Sequence, residues 1–274
     1  MRTVLLLATK EVRDGLRNRW VLATTLLLAV FALTLAFLGA APTGAVKASP
    51  LAVTIVSLSS LSIFLLPLIA LLLSHDTIVG EAERGTLALL LAYPVARWQV
   101  ILGKFAGHVA ILAFATTVGF GAAATALTAT GGAEADAWPE FAALIGSSVL
   151  LGAVFVAIGT LVSTQVRERG TAGGIAIGIW LGCVLIWDMA LLGLLVADQG
   201  RTVTAGLLDA LLLLNPADAY RLLNLSGAGV GVFAGLADIA GRSALTPAVL
   251  TAALLAWIAL PLAAAAALFA RRPV

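Results

Sequence analysis

Residues 79–104 read VGEAERGTLALLLAYPVARWQVILGK, and the fold turns on what their opening means. Gly80-Glu-Ala-Glu-Arg-Gly85-Thr86 comes within one residue of the phosphate-binding pattern G-x-x-x-x-G-K-[ST]. Such a loop follows a strand and gathers backbone amides and a lysine ammonium around phosphate oxygens. Here Thr86 stands where the lysine is needed, and Glu81 and Glu83 bring negative charge to where phosphates would lie. What precedes is no strand, because residues 65–74 are the apolar end of a membrane helix. The stretch therefore reads as a polar excursion between two spans, its glycines shaping a turn, with no nucleotide held by this chain.

Composition supports that choice. The 274 residues are 61% apolar and 11% charged, with mean hydropathy +1.09, against about half and about a quarter in soluble domains. No soluble core hides so much hydrocarbon, which makes the chain an integral membrane protein. A spanning helix needs roughly 20 apolar residues. Runs of that kind lie at 20–38, 51–73, 100–128, 141–163, 171–196 and 247–269, so the expected fold is an all-α bundle of six transmembrane helices in one domain, 1–274. A net charge of +2 gives nucleic-acid binding no bulk electrostatic support. The single Cys183 excludes an internal disulfide, and the two histidines and two methionines do not cluster, so no metal site is expected.

Ahead of the first span, residues 1–19 set Leu5, Ala8, Val12, Leu16 and then Trp20 at helical spacing, opposite Lys10, Arg13, Asp14 and Arg17. This predicts an amphipathic helix lying on the membrane. A signal peptide cleaved at Leu38-Gly-Ala-Ala competes, but the apolar run is long for one and more spans follow. Ser57, Ser59, Ser60 and Ser62 in span two read as packing residues, and Pro67 as a kink. Small-residue faces at Ala115/Gly119/Ala123 and at Gly174/Gly178/Gly182 predict close approach by other helices. Thr130 to Glu140, TGGAEADAWPE, is a short acidic loop. Residues 197–246 read as short interfacial or external helices. With the N-terminus inside, Arg2, Lys10, Arg13, Arg17, Arg19, Arg84, Arg97, Lys104, Arg167, Arg169, Arg271 and Arg272 all fall on inner segments. Only Lys47, Arg201, Arg221 and Arg242 fall outside, so both termini are expected in the cytoplasm.

The excursion also carries a longer pattern, E-x-E-x-G-T-L-x-x-L-L-x-x-P-x-x-R…x-L-x-G-K. It is filled by Glu81, Glu83, Gly85, Thr86, Leu87, Leu90, Leu91, Pro94, Arg97, Leu102, Gly103 and Lys104. It resembles the ABC-2 family of ABC-transporter permeases, in which this region is the cytoplasmic gate and coupling helix. KEVRDGLRNRW at 10–20 looks like that family's amphipathic elbow. With LLLLNPADAYRLLNLSG at 211–227, nearly the whole chain is similar to the NosY-type branch, which serves nitrous-oxide reductase maturation.

The resemblance implies a bacterial inner-membrane subunit that forms a homodimer. Separate cytoplasmic ATPase subunits of NosF type would bind from below and a periplasmic β-helix protein of NosD type from above, in copper-site assembly. ATP and Mg would be bound by the ATPase partner, and no cofactor by this chain. The 79–98 coupling region would meet the ATPase through Glu81, Glu83, Arg84, Gly85, Thr86, Leu87, Pro94 and Arg97. A re-entry elbow that merely packs against the bilayer is the plainer alternative. The 197–246 periplasmic segment would meet its partner through Asn215, Pro216, Asp218, Tyr220, Arg221 and Asn224. The spans show few polar residues for a pore, which leaves transport of a sulfur species and mechanical coupling both open.

Asp188 is the carboxylate placed within a span, and on that ground a functional candidate. Counting about 17 residues from Thr171 at about 1.5 Å each gives roughly 26 Å. That puts Asp188 near the end of the span, with Trp187 as an interfacial anchor. A generic ABC-2 exporter for another substrate is the nearest rival. An ion-coupled secondary transporter would want inverted repeats and charges at mid-membrane, and no clear repeat is present. An intramembrane enzyme would need a pair such as His108 with Ser147 or Ser148, but Gly146-Ser147-Ser148 reads more simply as packing. The subunit is therefore expected to be non-catalytic.

Overall fold

The computed structural model describes residues 2–17, 19–38, 50–130, 138–198, 203–227 and 245–272. Every regular element among them is helical: α1 (Arg2–Leu16), α2 (Arg19–Leu38), α3 (Pro50–Ser74), α4 (Val79–Glu83), α5 (Thr86–Leu91), α6 (Arg97–Ala129) and α7 (Trp138–Gln165). Next come α8 (Arg169–Leu181), a π-helical turn (Gly182–Ile186), α9 (Trp187–Asp198), α10 (Ala205–Leu213), α11 (Pro216–Gly227) and α12 (Pro247–Arg271). Five stretches are long and apolar enough to cross a bilayer: Thr54–Glu83, Arg97–Ala129, Trp138–Gln165, Arg169–Asp198 and Pro247–Arg271. A sixth is added if α1 and α2, bent by 70°, count as one span. Lys47, Arg201, Arg242, most of the acidic loop (131–137) and residues 228–244 of the segment before the last span lie outside the described residues.

The helix that is apolar all round occupies the centre, as burial on every side requires. This is α7, whose Leu151, Val154, Phe155 and Val156 form one core with Leu66 and Leu71 of α3 and Leu112 of α6. The Ala115/Gly119/Ala123 face of α6 is buried, and a methyl group on Gly119 would sit 3.1 Å from Leu28 Cβ of α2. Pro67 lies inside α3, and one residue turn away the Phe64 carbonyl accepts a 2.9 Å hydrogen bond from Trp180 Nε1 of α8.

The packing sharpens two expectations and corrects a third. A methyl group added at Gly174, Gly178 or Gly182 would meet nothing within 4 Å, so no described helix of this chain packs on that face, which stays open; α8 and α9 form the rim of the bundle. On α1 the Leu5/Val12/Leu16 stripe is turned away from the bundle, Leu5 being 67% exposed, and it is Leu7 that is buried against the protein. Val4, Leu7, Ala8 and Glu11 instead rest on Gly103 and Gly107 of α6, where an added Cβ would come within 2.6 Å of Leu7 Cβ and 2.5 Å of Glu11 Cβ. The absence of side chains there lets the two backbones approach. Thirdly, α11 is not an external helix. Its Ala217, Asp218, Ala219 and Tyr220 are all buried, because they insert between α3, α7 and α12.

Candidate functional site

The end of the bundle that gathers Arg84, Arg97, Lys104, Arg169 and Arg272 is where the 79–104 stretch lies. Its first half is a continuation of α3. After a turn, Ile78 and Val79 start α4, and both backbone amides donate to Ser163 Oγ of α7, at 2.9 and 3.1 Å. Those are the amides a helix start leaves without intrahelical partners. Gly85 then takes φ 71°, a left-handed conformation suited to glycine, and turns the chain into α5. Gly80 does not turn; it is a helical residue packed against Asp76 and Arg169, which corrects the reading that both glycines shape the turn.

Lys104 of α6 is the centre of the site. Its ammonium donates to Glu81 Oε1 of α4 and Glu11 Oε1 of α1, each at 2.8 Å, and the side chain is only 3% exposed. Lys10 adds longer contacts to Glu11 at 3.7 Å and to Glu81 at 3.9 Å. His108, one turn along α6, lies 3.9 Å from Glu11 and 3.4 Å from the Thr77 hydroxyl. Burial by itself would raise the Glu11 carboxyl, but Lys104 beside it, with smaller help from His108 and Lys10, holds it below its ordinary 4.5. On the outer side Arg169 of α8 pairs with Asp76 at 2.8 Å, and its backbone amide donates to Glu83 Oε1 at 2.7 Å. The short α4 is thus held by α1, α6, α7 and α8 at once.

Two arginines close the same end by capping helices whose last carbonyls lack partners. Arg97 donates to the carbonyls of Phe269, Ala270 and Arg272 of α12, at 2.6–3.2 Å, and lies over the Phe269 ring. Arg272 donates to the carbonyls of Ser163, Thr164 and Val166 at the end of α7.

A second polar cluster forms at the opposite half of the bundle, where α11 is inserted. Arg221 bridges Asp188 of α9 at 2.7 Å and Asp218 at 2.6 Å. Asn215 donates to Asp218 and, at 2.8 Å, to the Cys183 carbonyl inside the π-helical turn. Tyr220 and Ser148 share a 2.9 Å hydrogen bond, and Ser147 donates to Asn224 Oδ1 at 2.9 Å. Beside Ser147 and Asn224 a mostly apolar groove of about 530 Å³ opens between α3, α7, α11 and α12.

The expected ATPase-contact residues thus divide. Glu83, Arg84, Gly85, Thr86 and Pro94 are exposed at the tip of the excursion. Glu81 and Leu87 are turned inward, Glu81 by its ion pair and Leu87 by packing on Val100 and Ile101. Arg97 is engaged as a helix cap. Of the residues expected to meet an outer partner, Asn215, Pro216, Asp218 and Tyr220 are buried, and Arg221 and Asn224 are half-buried. Their polar groups satisfy each other and the π-helical turn, so they are not a free surface of this chain. Helix α9 runs ten residues beyond Asp188, to Asp198, so the helix does not stop there. Ser147 and Ser148 pair with α11, and His108 with Thr77, so the imagined serine–histidine pair is not formed. Glu11, Ser163 and Arg169 were missed as site residues. A carboxylate at position 11 shares a helix face with Leu7 and Ala8, and that is the signal of a buried partner.

Comparison with known proteins adds the following. The model of a family described as ABC-2 family transporter protein matches residues 5–274. A probable ABC transporter permease protein NosY of Pseudomonas aeruginosa is 47% identical over 277 residues, covering 100% of both chains. One of the same name from Stutzerimonas stutzeri is 49% identical over 276 residues, covering 99% of each.

Proposed function

Since the chain belongs to the ABC-2 family and is a permease subunit of an ABC transporter, we propose that it couples ATP hydrolysis by a separate cytoplasmic ATPase to a periplasmic partner in copper-site assembly of nitrous-oxide reductase. In this reading the subunit sits as a homodimer in the bacterial inner membrane with both termini cytoplasmic. Residues 1–19 are the elbow, 79–98 the coupling region, and ATP with Mg stays on the ATPase. The subunit itself catalyses nothing. Full-length similarity to two NosY permeases supports the branch, and the distribution of basic residues supports the orientation.

The observation that carries the coupling role is the bridge made by Lys104 between Glu81 and Glu11. A push on α4–α5 reaches α6 and α1 through one buried ammonium, and reaches α7 through Ser163. Packed helices that shift as bodies carry such a displacement, whereas loops absorb it. The face that receives the push is the outer side of α5. Leu89 is 68% and Tyr93 70% exposed, at the end that also presents Glu83 and Arg84. Exposed apolar side chains rimmed by charge are the usual anatomy of a docking site.

Leu89→Glu and Tyr93→Asp test this, since neither residue supports the fold. Each is expected to reduce the ATPase recovered with the affinity-purified permease by about tenfold or more, with the permease still inserted. Undiminished recovery with both substitutions present would remove α5 as the docking element. Glu83→Lys is a poorer probe because it also removes the carboxylate that caps the start of α8.

A further inference from the structure

We infer that the arginine edge of α1 is a binding surface for anionic phospholipid headgroups. Viewed down its axis, α1 has three sectors, and two of them are accounted for. Val4, Leu7, Glu11 and Gly15 face α6. Leu5, Val12 and Leu16 form an apolar stripe, with Leu5 67% and Leu16 40% exposed. The third sector, on the far side of that stripe, carries Arg2 and Arg13 around the 71% exposed Leu6, continued past the helix end by Arg17, with all three arginines exposed.

Charge decides what this third sector fits. Lys10 lies near Glu11, Asp14 and Glu81 at 3.7–3.9 Å. By contrast, Arg2, Arg13, Arg17 and Arg19 make no ion pair with any described residue. Arg13 lies in the last turn of α1 and Arg17 four residues on, in the turn that follows, close enough in sequence for two long guanidinium arms to converge on one phosphate. Depth is set by the next element, because α2 opens at Arg19 and is apolar from Val21 onward. The arginines therefore sit where the chain passes from headgroups into hydrocarbon, and the Leu5/Leu16 stripe beside them suits acyl chains. A zwitterionic headgroup brings its own cation to each phosphate, so unpaired arginines select lipids of net negative charge. The opposite side of the same helix carries Glu11 to Lys104, so headgroups gripping α1 also brace the buried ion cluster.

The test uses the full-length chain reconstituted in bilayers of three parts phosphatidylcholine to one part phosphatidylglycerol, then extracted in an uncharged detergent. The lipids that remain bound are quantified. The wild type is expected to retain phosphatidylglycerol over phosphatidylcholine at least about fivefold above the bilayer ratio, and Arg13→Gln/Arg17→Gln to lose that enrichment. Arg13→Lys/Arg17→Lys keeps the charge and is expected to keep most of it. If the glutamine variant does not insert, extraction of the wild type at high salt is the substitute, and is expected to abolish the enrichment. A wild-type ratio equal to that of the bilayer would overturn the proposal and leave this edge to a protein partner. So would enrichment that survives both neutral substitution and salt. No ATPase takes part, so the outcome is independent of the coupling role proposed above.

Discussion

One lysine ammonium answers two carboxylates inside a membrane protein, and that sets what its removal does. With Lys104 gone, Glu11 and Glu81 face each other at low exposure, with Glu81 Oε2 already lacking any partner. Breaking a buried pair from one side costs about 3–5 kcal/mol, because the remaining charge keeps its desolvation penalty. Lys104→Met is therefore expected to lower the melting temperature sharply. Lys104→Met/Glu11→Gln/Glu81→Gln, which removes all three charges, is expected to recover most of the loss. Thermal denaturation of the purified permease reads both, and a triple variant no more stable than the single one would mean that charge balance is not what Lys104 supplies. Acid does part of the same experiment. The Glu11 carboxyl is held below its ordinary 4.5, so its contribution is complete above that value and fades as the pH falls below it. Lys104 could be read from the chain as the end of a family pattern. That it joins Glu81, 23 positions earlier, to Glu11, 93 positions earlier, could not, because the pairing exists only once three helices meet.

At the scale of elements, what the chain made legible was the long helices, since a run of roughly 20 apolar residues has few other solutions. Legibility failed where a helix is short and polar. NPADAYRLLNLSG looks like a solvent-facing segment because polarity ordinarily means water. Here Asp218, Arg221, Asn215 and Tyr220 find their partners on α7, α9, the π-helical turn and one another. A π-helical turn loosens the regular ladder, and Asn215 meets the Cys183 carbonyl within it. Nothing in GCVLI announces that turn. Glycine spacing is half legible, because it marks a face open to close approach without saying whether a helix of the same chain comes. On α6 one does come. Gly107→Leu is expected to force α1 off α6 and to destabilise by about 1–3 kcal/mol, as overpacking does. Gly121→Leu on the same helix, where an added Cβ meets nothing within 4 Å, serves as the near-neutral control. Accelerated proteolysis of the N-terminus in the first variant and not the second is the measurement, and equal rates would disconnect α1 from the Gly103/Gly107 groove.

Across the whole molecule, α7 is the member shared by both polar clusters. Ser163 near its end holds the start of α4, and Ser148, 15 residues earlier, holds Tyr220 of α11. At about 1.5 Å per residue those contacts are roughly 22 Å apart along one helix, buried between them, so a displacement at one is felt at the other. Arg221 then ties α11 to α9, beyond the π-helical turn. If this chain of contacts carries the stroke of the ATPase, loss of Arg221 uncouples rather than unfolds. Arg221→Met alone leaves Asp188 and Asp218 uncompensated, and a fall in stability would hide the effect. The informative variant is therefore Arg221→Met/Asp188→Asn/Asp218→Asn, in which the cluster is neutral. It is expected to keep the ATPase bound and hydrolysing within about twofold of wild type, and to lose at least about tenfold of nitrous-oxide reductase maturation, a difference of about 1.4 kcal/mol in coupling. Maturation restored by neutral substitution would show that the cluster only balances charge. In that case the stroke must leave the molecule by another helix packed on α11: α3, α10 or α12.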